Sequence, residues 1–198
     1  MFIEEPKLMP FQEHPFNADT FVADCFLGLK IAFEIDTIVE TGTCLGYSTE
    51  WMAKNYKNVI TLEVVDKYFT IAKTNRLLKH KNVKMVLGSS ATMLYDLIKG
   101  LTDKTMFFLD AHWQNSCPLK EELAQIAKAK LRPVIAIHDF KVPNRDDLGF
   151  DSYNGQEFTY EWLKPDFDKV YGVGKYTHFY NKETAGAKRG VIYVVPKN

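Results

Sequence analysis

The stretch Ile38-Val39-Glu40-Thr41-Gly42-Thr43-Cys44-Leu45-Gly46-Tyr47-Ser48 decides the fold. An apolar run ends in an acid, turns on a glycine and enters a second glycine followed by a helix-compatible segment. Gly42 permits a tight backbone turn beside a ligand, and Gly46 lets the loop approach that ligand closely. A dinucleotide site would carry G-x-G-x-x-G, whereas here Gly42 and Gly46 enclose three residues and an acid stands two positions before the first. That spacing lacks a pyrophosphate cradle. It suits a ligand without phosphate, whose amino group meets a carboxylate near Glu40 and whose own carboxylate meets loop amides. A plain tight turn with Glu40 as a surface acid fits the same letters, so the rest of the chain has to arbitrate.

Moving outward, Thr61-Leu62-Glu63-Val64-Val65-Asp66 closes the next apolar run, and Glu63 stands 21 positions after Gly42. An acid about 20 residues beyond a glycine turn can accept hydrogen bonds from both hydroxyls of a ribose. Asp66 is expected to N-cap the following helix. In Val86-Leu87-Gly88-Ser89-Ser90, small residues at a strand end leave room for an adenine whose edge Ser89 and Ser90 could meet, although two serines before a helix are as often a cap. Phe107-Phe108-Leu109-Asp110-Ala111-His112-Trp113 and Val134-Ile135-Ala136-Ile137-His138-Asp139-Phe140 each put polar residues directly after an apolar strand. Adjacent strands lie about 4.8 Å apart, so Asp110, His138 and Asp139 can converge on one cation. Trp113 can stack on adenine or substrate, or serve as a core indole.

Around these motifs a regular alternation emerges. Apolar runs at Thr37 to Val39, Val59 to Leu62, Val83 to Leu87, Met106 to Leu109 and Val134 to Ile137 read as strands buried on both faces. Between them, Tyr68, Ile71, Ala72, Asn75 and Leu78, then Leu94, Leu97, Ile98 and Leu101, then Leu119, Leu123 and Ile126 have helical spacing. Strand, helix, parallel strand, repeated with right-handed crossovers, predicts a doubly wound α/β sheet with ligands at the carboxyl ends of its strands. Before it, Pro6, Pro10 and Pro15 interleave with Phe2, Phe11 and Phe16, which predicts an arm or lid over this site or a neighbour's. Asn17 and Asp19 can cap a helix that leads to the first strand. After Asp139 the pattern loosens, with a short helix expected around Phe158 to Lys164 and strands near Lys169 to Val173 and Val191 to Val195.

Composition narrows the function. The 198 residues carry 25 Lys plus Arg against 25 Asp plus Glu, a neutral balance that argues against a broad nucleic-acid or anionic-membrane surface. No apolar run approaches the roughly 20 residues of a membrane helix, and the start has no basic-then-apolar leader. Cys25, Cys44 and Cys117 lack metal-finger spacing and read as reduced thiols of a cytoplasmic protein. One domain is expected over residues 1–198: arm and helix over 1–35, cofactor-binding core over 36–143, substrate-side loops and final strands over 144–198.

Taken together, the motifs resemble the class I S-adenosylmethionine-dependent methyltransferases, in the catechol O-methyltransferase-like and macrocin O-methyltransferase-like branch, over roughly Thr37 to Pro143. The resemblance implies a mostly parallel seven-stranded sheet with its last strand antiparallel. It also implies contacts to the methionine part of the cofactor from Glu40, Gly42, Gly46, Tyr47 and Ser48. Glu63 would hold the ribose, Ser89 and Ser90 would border adenine, and Asp110 and Trp113 would complete the cofactor site. Asp110, His138 and Asp139 would hold a divalent cation. Two carboxylates suit Mg²⁺ or Mn²⁺, and an imidazole in the set shifts preference toward Mn²⁺, Fe²⁺ or Zn²⁺. The chain departs from the catechol enzymes where their lysine base follows the Asp-His-Trp segment, because Gln114 and Asn115 stand there and Ala111 is inserted. That argues against catechol as acceptor.

The reading implied is metal-assisted methylation of a small-molecule hydroxyl, with Asp110 and Asp139 holding the metal and His112 or His138 taking the proton. Tyr153, Gln156, Trp162, His178 and Tyr180 are candidates to shape the acceptor pocket. Two other classes stay open. Asp110, His112 and His138 contain the two histidines and one carboxylate of a non-haem iron oxygenase, and a cofactor-binding module without catalysis would need only the first motifs. A homodimer is compatible with the Phe-rich arm.

Overall fold

The computed structural model describes residues 10–111 and 117–197. Strands β1 (Thr37–Thr41), β2 (Asn58–Glu63), β3 (Val83–Leu87), β4 (Thr105–Leu109) and β5 (Val134–His138) run parallel in the order β3-β2-β1-β4-β5. Two more, β8 (Tyr176–Tyr180) and β9 (Val191–Pro196), extend the sheet to seven strands beyond β5, with β9 antiparallel to both of its neighbours. This is the doubly wound sheet expected, and its chain order reverses direction between β1 and β4, where such sheets open a crevice.

Side-chain alternation along each strand divides the core in two. Val39, Phe107, Leu109, Ile135 and Ile137 face helices α4 (Ser90–Ile98), α5 (Leu119–Lys128) and α6 (Tyr160–Tyr171). Ile38, Met106, Phe108 and Tyr193 face α1 (Thr20–Ala32) and α2 (Tyr47–Asn55), where Phe26 and Met52 are fully buried. Every residue of β1, β4 and β5 is buried, as strands covered on both faces must be. Asp19 caps α1, its Oδ1 accepting from the amides of Phe21 at 3.0 Å and Val22 at 3.3 Å.

Three local expectations are corrected. Asp66 is the first residue of α3 (Asp66–Asn75), and Val65 holds the cap position. The helix expected to stop at Lys164 continues through Pro165 to Tyr171, because Leu163, Phe167, Val170 and Tyr171 recur at helical spacing and are all buried. The segment Lys169 to Val173 therefore ends a helix, and the penultimate strand forms at Tyr176–Tyr180 instead. Between β5 and α6, β6 (Ser152–Tyr153) and β7 (Gln156–Glu157) form a hairpin whose turn residues Asn154 and Gly155 both have positive φ. Asn-Gly is the strongest short hairpin signal, and it was readable in the sequence.

Candidate active site

Sheet register assembles the site. Thr41 lies level with Leu62 on one side and Leu109 on the other, and Leu109 is level with Ile137. The residues that follow, Gly42, Glu63, Asp110 and His138, therefore emerge together at the carboxyl edge. Backbone bonds tie these ends to one another: Gly42 N–H donates to Leu62 O at 3.0 Å, and Asp110 N–H to Thr41 O at 3.1 Å. Gly42 has φ +89°, and a Cβ there would overlap the carbonyl oxygen of Asp110. Glycine is thus required by the neighbouring strand as well as by the turn. Gly46, at φ +80°, caps α2 and packs against Ala72 and Leu77.

Glu40 lies beneath this loop at 1% exposure, its Oε2 accepting from the hydroxyls of Thr49 and, at 2.7 Å, Thr61. Burial raises its pKa to about 8, against the pull of the two hydroxyls and with a further push from Asp110 and Glu63. A carboxyl raised in this way binds its proton more tightly folded than unfolded. The resulting stability is fully present below the ordinary carboxyl range and is lost as pH rises through about 8. Glu40→Gln keeps one acceptor oxygen for both threonines and has nothing to ionise. Thermal melting across this range should show a declining midpoint in the wild type and a flatter profile in the variant; parallel profiles would contradict the assignment.

Glu63 is also buried, with Oε2 accepting from Cys44 N–H at 2.7 Å and Oε1 from Val65 N–H at 2.8 Å. Burial raises its pKa although both amides favour the ionised form. Tyr47 carries the Arg76 guanidinium 3.6 Å from its ring centroid. Ser48 Oγ accepts from Phe16 N–H at 2.9 Å and so anchors the N-terminal arm to the glycine loop. Ser89 precedes α4 without a side-chain capping bond, and both Ser89 and Ser90 line the main cleft.

This cleft has a volume of about 400 Å³ and runs from Glu63, Gly88 and Ser90 past Gly42 to Asp110, Asp139 and Asp151. A second cavity of about 100 Å³ lies between the loop from Glu40 to Ser48 and the arm, and Gly42, Cys44 and Asp110 border both spaces. The described part of the arm folds over its own chain's site, with Gln12 and Asn17 also bordering both cavities. Phe16, Asn17 and Ala18 all have positive φ, and Phe16 is buried edge-on against Phe26, Trp51 and Phe108. On the far side, Asn17 O accepts from Ala187 N–H at 3.1 Å and Asp19 Oδ2 from the Thr184 hydroxyl at 2.7 Å.

At the β4 and β5 ends, Asp110, His138 and Asp139 bring one potential ligand atom each to within 4.8 Å of one another. His138 is 2% exposed, and its Nδ1 lies 3.5 Å from Asp110 Oδ1 and 3.2 Å from Asp139 Oδ2 without making a hydrogen bond of good geometry. Burial alone would lower the imidazole pKa, but the charges of Asp139 and Asp110 outweigh it and hold the value well above the usual range. The donor set fits a shared cation, because two carboxylates and a buried imidazole nitrogen converge on one point, and a cation there would take the place of the imidazole proton. Arg189, absent from the motif reading, reaches Asp139 through Nε and Asp151 through Nη2.

His112 and Trp113, expected as a base and a stacking residue, lie outside the described residues. Tyr153 and Trp162 flank Phe158 in a ladder of near-parallel rings at 5.6 and 5.7 Å, His178 stacks on Tyr160 at 3.9 Å, and Tyr180 packs near Phe140. Gln156 spends its side-chain amide on Glu157 O at 2.7 Å. Trp162 lies on α6, His178 and Tyr180 on β8, and Tyr153 and Gln156 on the β6–β7 hairpin; the described residues that line the cleft do not include these five.

No protein-family model and no curated protein sequence matches the chain. Solved structures do share its architecture. The O-methyltransferase TomG from Streptomyces achromogenes, involved in tomaymycin synthesis and solved in complex with SAM, superposes with a TM-score of 0.64 at 19% identity, over 89% of this chain and 80% of that one. The O-methyltransferase from Bacillus cereus, solved in complex with SAH, gives a TM-score of 0.61 at 22% identity, over 96% of this chain and 83% of that one. The fold is that of the Rossmann-like class I methyltransferases. Within that class, these structural neighbours are O-methyltransferases.

Proposed function

We propose that the protein is an S-adenosylmethionine-dependent methyltransferase that methylates a hydroxyl oxygen of a small molecule with the help of a divalent cation. The observation that carries this reading is the single cleft in which the glycine loop, Glu63 and the Ser89-Ser90 segment lead directly to Asp110 and Asp139. Two of the structural neighbours were solved in complex with SAM and SAH, which supports the same cofactor for this chain. The three free cysteines fit a reducing cytoplasm.

When bound, the cofactor supplies an electrophilic methyl on its sulfonium, and the cation supplies a positive charge that lowers the pKa of the acceptor hydroxyl. Asp110, His138 and Asp139 would hold Mg²⁺ or Mn²⁺, with Fe²⁺ or Zn²⁺ as softer choices. The chain's remaining task is alignment. Glu63, fixed by two amides, would take the ribose; the loop from Gly42 to Ser48, with Glu40 below, would receive the methionine end; and Ser89 and Ser90 would border adenine. Asp110 borders both cavities and so would neighbour the methyl donor while helping to hold the cation.

Calorimetry with SAH tests the cofactor half. Glu63→Ala removes the ribose acceptor and strands the Cys44 and Val65 amides, so affinity should fall about ten- to a hundredfold, equivalent to roughly 1–3 kcal/mol. No heat from the wild type at millimolar SAH would overturn the reading.

A further inference from the structure

Arg189 is set into a built position beside the cation cluster. Its guanidinium bridges Asp139 and Asp151 and packs over Gly149. A Cβ on Gly149 would come within 2.7 Å of Arg189 Nη1, and one on Gly190 would overlap the carbonyl oxygen of Phe140. Gly149 N–H donates to Lys188 O and Gly190 N–H to Gly149 O, both at 2.9 Å, so backbone bonds lock the segments that carry the arginine and its surroundings. Antiparallel pairing of Val191 with His138 brings these residues to the carboxyl end of β5.

We propose that Arg189 is a resident counter-cation of the cluster alongside His138: it neutralises Asp139 and Asp151 in the metal-free protein and lowers the affinity of the cluster for a divalent cation. The proposal rests on reading Asp110, His138 and Asp139 as a cation site. Asp139 turns Oδ1 to Arg189 while its Oδ2 lies 3.2 Å from His138 Nδ1. A cation entering the cluster therefore shares one carboxylate with a guanidinium and is repelled by it at short range in a partly buried site. Arg189 also orients Asp139, which by itself would favour binding. Other contacts hold that residue as well: its carbonyl accepts from Asp151 N–H at 2.9 Å, and its Oδ2 lies 3.2 Å from His138 Nδ1. With the carboxylate still held by His138, the charge of Arg189 is the larger effect.

The test is Mn²⁺ binding to the full chain in the presence of SAH, followed by electron paramagnetic resonance. Arg189→Gln should tighten Mn²⁺ binding about tenfold or more, and Arg189→Lys, which keeps the charge, should stay within about threefold of wild type. Arg189→Met fills the same space without charge; it should match the glutamine variant and replaces it if that protein fails to fold. SAH affinity should be unchanged in all three. Unchanged or weaker Mn²⁺ binding by the neutral variants, with SAH binding intact, overturns the role of Arg189, as does a lysine variant that tightens equally. Mn²⁺ binding by wild type that disappears in Asp139→Ala upholds the cation site independently, and no Mn²⁺ binding by any variant overturns both.

Discussion

Gly42→Val is expected to abolish cofactor binding while the protein remains folded. A β-branched residue at φ +89° is strained before any contact is considered, because the left-handed region disfavours side chains by roughly 1–2 kcal/mol. The added Cβ would also overlap the Asp110 carbonyl, which belongs to backbone and cannot swing aside as a flexible side chain could. The loop would have to lift from β4, dragging the Thr41 and Leu62 backbone partners with it. SAH affinity should drop by at least about a hundredfold and the thermal midpoint by several degrees, with native circular dichroism. Retained affinity would show that the loop does not shape the cofactor site.

The second large effect separates binding from chemistry. Asp139→Ala, or exhaustive chelation of the wild type, should cut turnover at least about a hundredfold, the scale of a few kcal/mol of lost transition-state stabilisation. SAH should bind nearly as before, since the glycine loop, Glu63 and the Ser89-Ser90 segment are untouched. Asp110→Ala is less selective because Asp110 borders both cavities. An acceptor has to be found first, by screening phenols and sugar alcohols and weighing products by mass spectrometry. Full activity in a chelated preparation shown by metal analysis to be empty would exclude a role for the cation.

The five parallel strands were legible because each is a short, mostly apolar run, and for the central strands covering both faces leaves little choice of residue; β3, expected to be buried on both faces, is instead an edge strand whose Lys84 and Leu87 are exposed. The spacing of Gly42, Glu63, Asp110 and His138 was legible for the same reason: parallel register puts whatever follows each strand on one edge. Pro165 concealed the length of α6, since proline argues for a stop whereas burial of Phe167 and Val170 sustains the helix. Arg189 had no local signature at all. It becomes visible only once β9 is known to run antiparallel to β5, because the residues before Val191 must then lie at the active edge. The arm's partners at Thr184 and Ala187 were hidden likewise, being more than 160 positions away in sequence.

The arm has a kinetic consequence. The wall it lends to the smaller cavity is pinned through hydrogen bonds to Ser48 on one side and to Ala187 and Thr184 on the other, with Phe16 as its buried anchor. A wall of this kind opens by local unfolding rather than by a rotamer change. Withdrawing Phe16 from its three aromatic neighbours exposes a side chain whose burial is worth roughly 1.5–3 kcal/mol, in addition to the hydrogen bonds lost. Traffic through that wall then runs on the microsecond-to-second clock of segmental opening, and native-state hydrogen exchange at the Phe16 amide would keep time for it.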